Sequence, residues 1–561
     1  MKILVTTAAL LLMAVLPARW LAVRAQAPAW QMAAVAGNPA TSAVTSRVFA
    51  TAPDGAGNVL VVGTFNGTAS FGGTSLTSAG GDDVFVAKWR PATGTYVWAA
   101  RGGGVGNDVA TAVAVSGANV YVAGGFIGTG FFGGVAISAI NGTDGFLAKL
   151  TDAGTSATFE WVQRLGGFGF DQATGVAASG ASVYVVGGFD TSASFGLLTL
   201  ASAGGGDVFV VKFTDAGTLS SSVWARRAGG TGTDRATSVA VSGANVYVGG
   251  SFASPVASFG ATNLSGSITN NAFVTKLADA GTTGDFVWAR QGSSTSANSI
   301  DAVAVSSTGL YVGGVHNATL GLGTILLPTA GGPDGFVARL TDAGTTGDFV
   351  WGQRLGGAGT DGVTALAASG PNVYAGGHFA GVAGFGSTMV TSAGNLDVFV
   401  AKLFDAGASG NFEWVQRAGG GGLDSGGALA LTTAGALYAG GFVAPPATFG
   451  TLQVATPYTG AVGFLAALVG NALLTAADTP LAALALYPNP AHGRATVQLP
   501  ALPGATTATL AILNALGRTI RTQAAATNAP AELDLTGRAP GLYAVRVQAG
   551  AATAMRRLVV E

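Results

Sequence analysis

The sequence contains no cysteine. That excludes a disulfide framework, thiolate zinc sites and a cysteine nucleophile together. Histidine is almost as scarce, with only His316, His378 and His492, so imidazole acid–base chemistry has little to draw on. Charge is thin as well: Asp, Glu, Lys and Arg make up 9% of the chain, against ~25% in an ordinary soluble domain. The formal net charge is −1 and no basic stripe occurs, which argues against electrostatic binding to nucleic acid or an anionic membrane. No G-x-S-x-G elbow, Walker loop, H-E-x-x-H string or carboxylate pair at fixed spacing is present.

What the chain does have is apolar surface and turns. Hydrophobic residues reach 49%, ample for a core, and 90 of the 561 residues are glycine. Gly with Val, Phe, Thr and Ala, and little helix-favouring patterning, predicts an all-β protein dense in turns. Residues 1–25 read as a signal peptide: Lys2 gives the positive start, residues 3–16 the apolar stretch, and Val23-Arg24-Ala25 a small-residue cleavage site. That run is too short to span a membrane, and Arg19 and Arg24 follow it. A later apolar run, 461–477, contains Asn471 and reads as a repeat strand continuing into a linker. Export without a transmembrane segment is the expectation.

Internal repeats decide the fold. Trp30, Trp98, Trp161, Trp224, Trp288, Trp351 and Trp414 are separated by 68, 63, 63, 64, 63 and 63 residues. Between them recur a Val-Tyr-Val strand (as at 119–122), a Phe-Gly turn (Phe71, Phe132, Phe195, Phe259, Phe385, Phe449, with Leu322 as the fifth counterpart) and an Asp-x-Phe-Val-Ala-Lys-Leu strand (as at 397–403). Each unit thus supplies four main antiparallel strands, with the Phe-Gly segment as a longer connection. The strands are apolar on nearly every residue, as expected when both faces of each sheet are covered. The seventh copy ends at 462–468 without a Trp strand, and an orphan Trp strand stands at 30–35. Moving one to the other predicts a seven-bladed β-propeller over 26–471 closed by its N-terminal strand; an open β-solenoid is the competing architecture.

Gly-Gly-x-Gly-x-Asp followed by Ala-Thr, then Asn-Val-Tyr-Val and Asp-x-Phe-Val-Ala-Lys-Leu, resembles the bacterial SBBP β-propeller repeat over roughly residues 30–470. The resemblance implies a fold and little about activity. After a linker at 472–483, residues 484–561 change character, with short apolar strands at 495–499, 508–514 and 541–547 among seven that form a small β-sandwich. Tyr487-Pro488-Asn489-Pro490-Ala491-His492-Gly493, then Leu516-Gly517-Arg518, then Gly541-Leu542-Tyr543 and the terminal Arg556-Arg557-Leu558-Val559-Val560 occur in that order. This set resembles the type A C-terminal sorting domain of the type IX secretion system. On that resemblance Pro488, Asn489, Pro490, Gly493, Gly541 and Tyr543 are the sorting-motif residues, the secretion machinery is a partner, and the destination is the cell surface or the medium. An ordinary sandwich module for sugar or protein contact is the other reading.

Asp108, Asp171, Asp234, Asp361 and Asp424 close the five full Gly-Gly-x-Gly-x-Asp copies, and Asn298 stands in the fifth slot. The string matches half of the nonapeptide that binds calcium in stacked β-rolls, which makes these aspartates calcium candidates and calcium the one cofactor to consider. Their ~63-residue spacing brings one carboxylate per unit, so the competing reading is a tight turn whose Asp accepts local backbone N–H groups. Lys88, Lys149, Lys212, Lys276, Arg339 and Lys402 share one strand position, and Arg101, Arg164, Arg227, Arg354 and Arg417 another. Such regularity predicts structural pairing with an Asp in every unit. His316 and His378 fall near equivalent strand ends and form the one asymmetric pair, with no third metal ligand in sight. No catalytic residue is assigned. Two classes of function fit: a non-catalytic surface or secreted propeller that binds a glycan or protein, and a secreted hydrolase or lyase acting on polysaccharide with an acidic cluster in its funnel.

Overall fold

The computed structural model describes residues 27–39, 41, 44–266, 269–456, 460–468, 484–499, 506–514, 519–549 and 552–561. The signal-peptide segment 1–25, the linker 472–483 and Leu516-Gly517-Arg518 lie outside the described residues. Among the described residues every regular element is a β-strand, every strand pairing within the sheets is antiparallel, and no sheet closes on itself by hydrogen bonds. No helix among the described residues is long and apolar enough to cross a membrane.

The third unit shows the local logic. Gln172–Ser179, Ser182–Phe189, Asp207–Asp215 and Ser220–Ala228 pair in that order, innermost to outermost. Phe189 and its neighbours from Val183 onward are buried on both faces, because adjacent units cover each side of the sheet. Gly180 sits at φ +59° in the two-residue hairpin, a conformation that L side chains resist. Equivalent four-strand sets recur seven times among the described residues, the seventh being Ser425–Leu431, Leu437–Val443, Val462–Leu468 and Trp30–Ala36. The N-terminal strand therefore pairs with the last repeat, 431 residues downstream at Ala34 opposite Leu465.

Two details differ from the sequence-based expectation. The Phe-Gly segments are not plain connections. In six units they form a short outer hairpin, such as Ser192–Phe195 with Leu198–Ala201, and in the second unit they extend two long strands, Asn119–Phe132 and Val135–Asp152. The buried Phe anchors the hairpin by packing on the Phe of the third strand, as Phe132 does on Phe146 at 4.6 Å. Trp30 is also not the structural counterpart of the other tryptophans. Those stand opposite the Lys or Arg position, as Trp161 opposite Lys149, whereas Met32 occupies that place opposite Ala467, and Trp30 packs edge-on against Phe449 at 5.3 Å.

Innermost strands of consecutive units pack side by side, and the innermost strand of the seventh packs against that of the first. Together they surround a cavity of about 180 Å³ that all seven line. The charged positions lock neighbours together. Asp215 in the third unit receives Lys149 Nζ at 2.7 Å, the Tyr121 hydroxyl at 2.7 Å and Trp161 Nε1 at 3.3 Å, all from the second unit. Asp279 and Asp342 hold the same trio from the unit before them. Lys402 departs from the pattern and pairs with Glu413 at 2.8 Å.

Residues 484–561 form a separate core in which a three-stranded and a four-stranded sheet enclose Val497, Leu510, Ile512, Leu533, Val547 and Leu558. Seven strands are present among the described residues, as expected. Asn489 of the Pro-Asn-Pro segment accepts the Val559 N–H at 2.8 Å, and the Ala491 N–H donates to the Val559 carbonyl. The opening motif thus clamps the last strand, Ala552–Val560.

The junction of the two chain ends of the repeat region can be checked covalently. In a chain without cysteine, Ala33→Cys with Ala466→Cys, directly opposite in register, should form one disulfide. Non-reducing electrophoresis should show a compact species that reduction abolishes; two free thiols under oxidising conditions would contradict the pairing.

Candidate functional site: the crossover face

Each Gly-Gly-x-Gly-x-Asp turn carries the chain from the outermost strand of one unit to the innermost strand of the next. Asp108, Asp171, Asp234, Asp361 and Asp424 are fully buried. Asp108 accepts the Gly104 N–H at 2.6 Å with Oδ2 and the Ile127 N–H at 3.0 Å with Oδ1. The other four repeat this geometry: Asp171 with Gly167 and Asp190, Asp234 with Gly230 and Ala253, Asp361 with Gly357 and Ala380, Asp424 with Gly420 and Ala444. One donor lies four residues upstream; the other follows the next unit's second strand, except at Ile127, which lies within the long strand Asn119–Phe132. The carboxylate therefore staples the crossover to the unit it enters. The five aspartates sit at five separate junctions, and among the described residues no three His, Asp or Glu side chains converge as a metal cluster.

A second carboxylate shares each junction. Asp83, Asp207, Asp334 and Asp397 open the third strands, Asp144 holds the equivalent place inside the longer strand of the second unit, and all five are also fully buried. Each pairs with the repeated arginine, from Arg101 on Asp83 at 2.5 Å to Arg354 on Asp334 at 3.4 Å. Their Oδ2 atoms accept a backbone N–H or the arginine, while each Oδ1 is buried without a hydrogen-bond partner. Gly103, at φ +125°, separates the two acids of its junction. A Cβ there would lie 2.6 Å from Asp108 Oδ2 and 2.8 Å from Asp83 Oδ1, so the first glycine of the motif is required by space as well as conformation.

The junction between the fourth and fifth units replaces all three charged groups at once. Asn271 and Asn298 stand for the two acids and Gln291 for the arginine. The Asn298 side-chain oxygen still accepts a backbone N–H, from Ala272 at 2.8 Å. The closing junction uses Ser46 and Gly463 without charge; Ser46 Oγ donates to the Ala36 carbonyl and accepts the Gly463 N–H. Acid pair and arginine thus come and go together, because a buried charge is tolerated only with its partner.

The staples leave the two x positions of the motif exposed. They are Val105 and Asn107, Phe168 and Phe170, Thr231 and Thr233, Ala358 and Thr360, and Gly421 and Leu423. A constant Gly–Asp frame therefore presents a different pair of side chains at each junction. The second junction is the most apolar: Phe168 is 57% exposed and Phe170 42%. Phe170 stands opposite Thr143, which stands opposite Ile127, so the three line up across adjacent strands. Arg235 lies over the Phe170 ring at 4.9 Å and reaches Asp190 at 3.5 Å, which places a charged rim beside the aromatic platform. The Gly-Gly-x-Gly-x-Asp string is legible in the sequence, but its fixed residues are buried or half-buried and the surface belongs to the variable ones. Its signal was the change of x from unit to unit.

His316 and His378 do not form a pair. His316 stands opposite Asp334 and is fully buried, its Nδ1 2.8 Å from the Ala318 carbonyl oxygen. His378 stands opposite Val398, one residue earlier in the equivalent register, and its Nδ1 lies 3.4 Å from Ser425 Oγ of the seventh unit, on the side away from the fifth. Burial lowers the pKa of both.

Residues 485–561 match the family model described as "Secretion system C-terminal sorting domain". This domain marks the chain for type IX secretion to the cell surface or the extracellular space, and implies contact with that machinery. Over 299 residues the chain is 28% identical to "Regulatory protein FlaEY" of Caulobacter vibrioides, covering 49% of this chain and 29% of that protein. The chain thus spans less than a third of that curated relative. Among solved structures it is similar to Trypanosoma rangeli sialidase at 11% identity and a TM-score of 0.30, covering 91% of this chain and 84% of that one.

The two kinds of buried aspartate give opposite pH responses. Burial, with a neighbouring carboxylate, pushes Asp171 and Asp361 up to about 6 from 3.8. Such groups bind protons more tightly when folded, so they favour the fold as pH falls from about 6 to 3.8. At Asp215, Asp279 and Asp342 burial acts in the same direction but the lysine, tyrosine and tryptophan donors outweigh it, holding each below 3.8. Their contribution is present above 3.8 and is lost as pH falls through the lowered values. The melting temperature should therefore be higher near about pH 5 than near about pH 7.5, and should drop below about pH 3.5. A monotonic rise from acid to neutral pH in scanning calorimetry would contradict this assignment.

Proposed function

We propose that the chain is an exported, non-catalytic binding module: a signal peptide at 1–25, an SBBP-like seven-bladed β-propeller at 26–471 whose N-terminal strand closes the last blade, a linker at 472–483, and the sorting domain at 484–561. The pairing of Trp30–Ala36 with Val462–Leu468 and the cyclic packing of the innermost strands support the closed ring. The observation that carries the binding role is the crossover face, where a stapled, repeated frame displays varied exposed side chains and one aromatic platform at Phe168 and Phe170. Flat aromatic surface with a charged rim suits the apolar face of a sugar ring or an apolar peptide segment. Calcium at Asp108, Asp171, Asp234, Asp361 and Asp424 is the subordinate proposal, since backbone N–H groups already engage both oxygens of each carboxylate. The alternative to binding is a secreted propeller hydrolase or lyase acting on polysaccharide.

Arrays of glycans and surface proteins probed with the full chain should yield a binder whose affinity falls about tenfold or more in a Phe168→Ala, Phe170→Ala variant. Product release from a polysaccharide panel by the unaltered chain would instead favour the enzyme. Mass spectrometry of native material should find the chain at the surface or in the medium without its last ~78 residues. A full-length chain retained in the periplasm would contradict the sorting route.

A further inference from the structure

The innermost strand of each unit carries an irregular residue at one register position, and these residues line the axial cavity. In four units it is threonine. Thr111 Oγ1 donates to the Ala173 carbonyl at 2.8 Å, Thr174 to Ala236 at 2.8 Å, Thr237 to Ile300 at 2.5 Å and Thr364 to Gly426 at 2.5 Å. Each acceptor belongs to the next unit, and each hydroxyl also lies 3.1–3.3 Å from a carbonyl of its own unit. Both neighbours being acceptors, every hydroxyl proton is committed to the backbone. What these threonines offer the cavity is lone pairs.

Phe49 and Gly427 occupy two of the remaining places, and in the fifth unit the residue is Asp301. It is the one ionisable side chain on the cavity wall, and it breaks a symmetry that the repeated charges elsewhere obey. No cationic side chain pairs with it among the described ion pairs. Burial pushes its carboxyl up to about 6, with the Ser299 hydroxyl as the sole counterweight. A carboxylate beside hydroxyl lone pairs, with no cationic side chain among the described residues of the cavity wall, is an environment that lacks positive charge.

We infer that the axial cavity is a binding site for a hard metal cation, held by the Asp301 carboxylate together with the inward lone pairs of flanking threonine hydroxyls. The site rests on the closed ring but not on the crossover-face reading. It is also distinct from the five junction aspartates, whose oxygens face backbone amides.

The test compares melting temperatures of the full chain near about pH 8 in calcium, potassium or choline chloride at matched ionic strength. Choline, too large and too soft for such a site, is the screening control. The unaltered chain should be stabilised by calcium or potassium beyond choline, increasingly with concentration, and Asp301→Thr should abolish the excess. Threonine is the residue of the other units, so this variant is expected to fold and, without added cation, to melt higher than the unaltered chain. Asp301→Asn, close to isosteric, should also lose the excess. Absence of any cation-specific stabilisation in the unaltered chain would overturn the proposal, as would its persistence in both variants.

Discussion

Two carboxylates buried side by side are unstable unless backbone donors and a cation offset their desolvation and mutual repulsion. At five junctions this protein meets that condition in one way. One acid caps the crossover through two amide groups, the second takes an arginine, and a glycine with positive φ fits between them. The position of every following strand depends on that arrangement, because the crossover fixes where the next innermost strand begins. The fourth-to-fifth junction shows how tightly the parts are coupled: acids and arginine are all replaced by amides there, and no half-charged version exists among the described junctions.

A second layer of coupling operates between units. Asp215, Asp279 and Asp342 each gather a lysine, a tyrosine and a tryptophan from the preceding unit, while the threonines on the inner strands bond forward to the next. These contacts are directional and repeat every ~63 residues. They explain how a chain with few charges uses them: most of the repeated ones hold neighbouring sheets in register. Against that background the exceptions become informative, namely the aromatic platform at Phe168 and Phe170 and the lone carboxylate of Asp301.

Export is signalled by a part of the chain separate from the repeats. The sorting domain has its own core, and Asn489 and Ala491 tie its opening motif to the terminal strand. The repeat region offers a face of variable loop residues on a fixed frame, so the side chains displayed there can change without disturbing the staples beneath them.

The sequence by itself determined the all-β class, the number of repeats, the displaced N-terminal strand and the sorting motifs, because each is written as local periodicity or as an ordered string. It also foretold that repeated Lys and Arg would pair with Asp, though not that Asp215 takes its lysine from the unit before it. The outer hairpins are not legible in the sequence because their strands are short and alternate buried with exposed side chains. Only the tertiary structure decided that Asp83 and Asp108 share one junction, that His316 and His378 face opposite ways, and that Asp301 lines the same cavity as Thr111, Thr174, Thr237 and Thr364. Those relations join residues some 25 to 250 positions apart, and they follow from the packing of one sheet against the next, which no local pattern records.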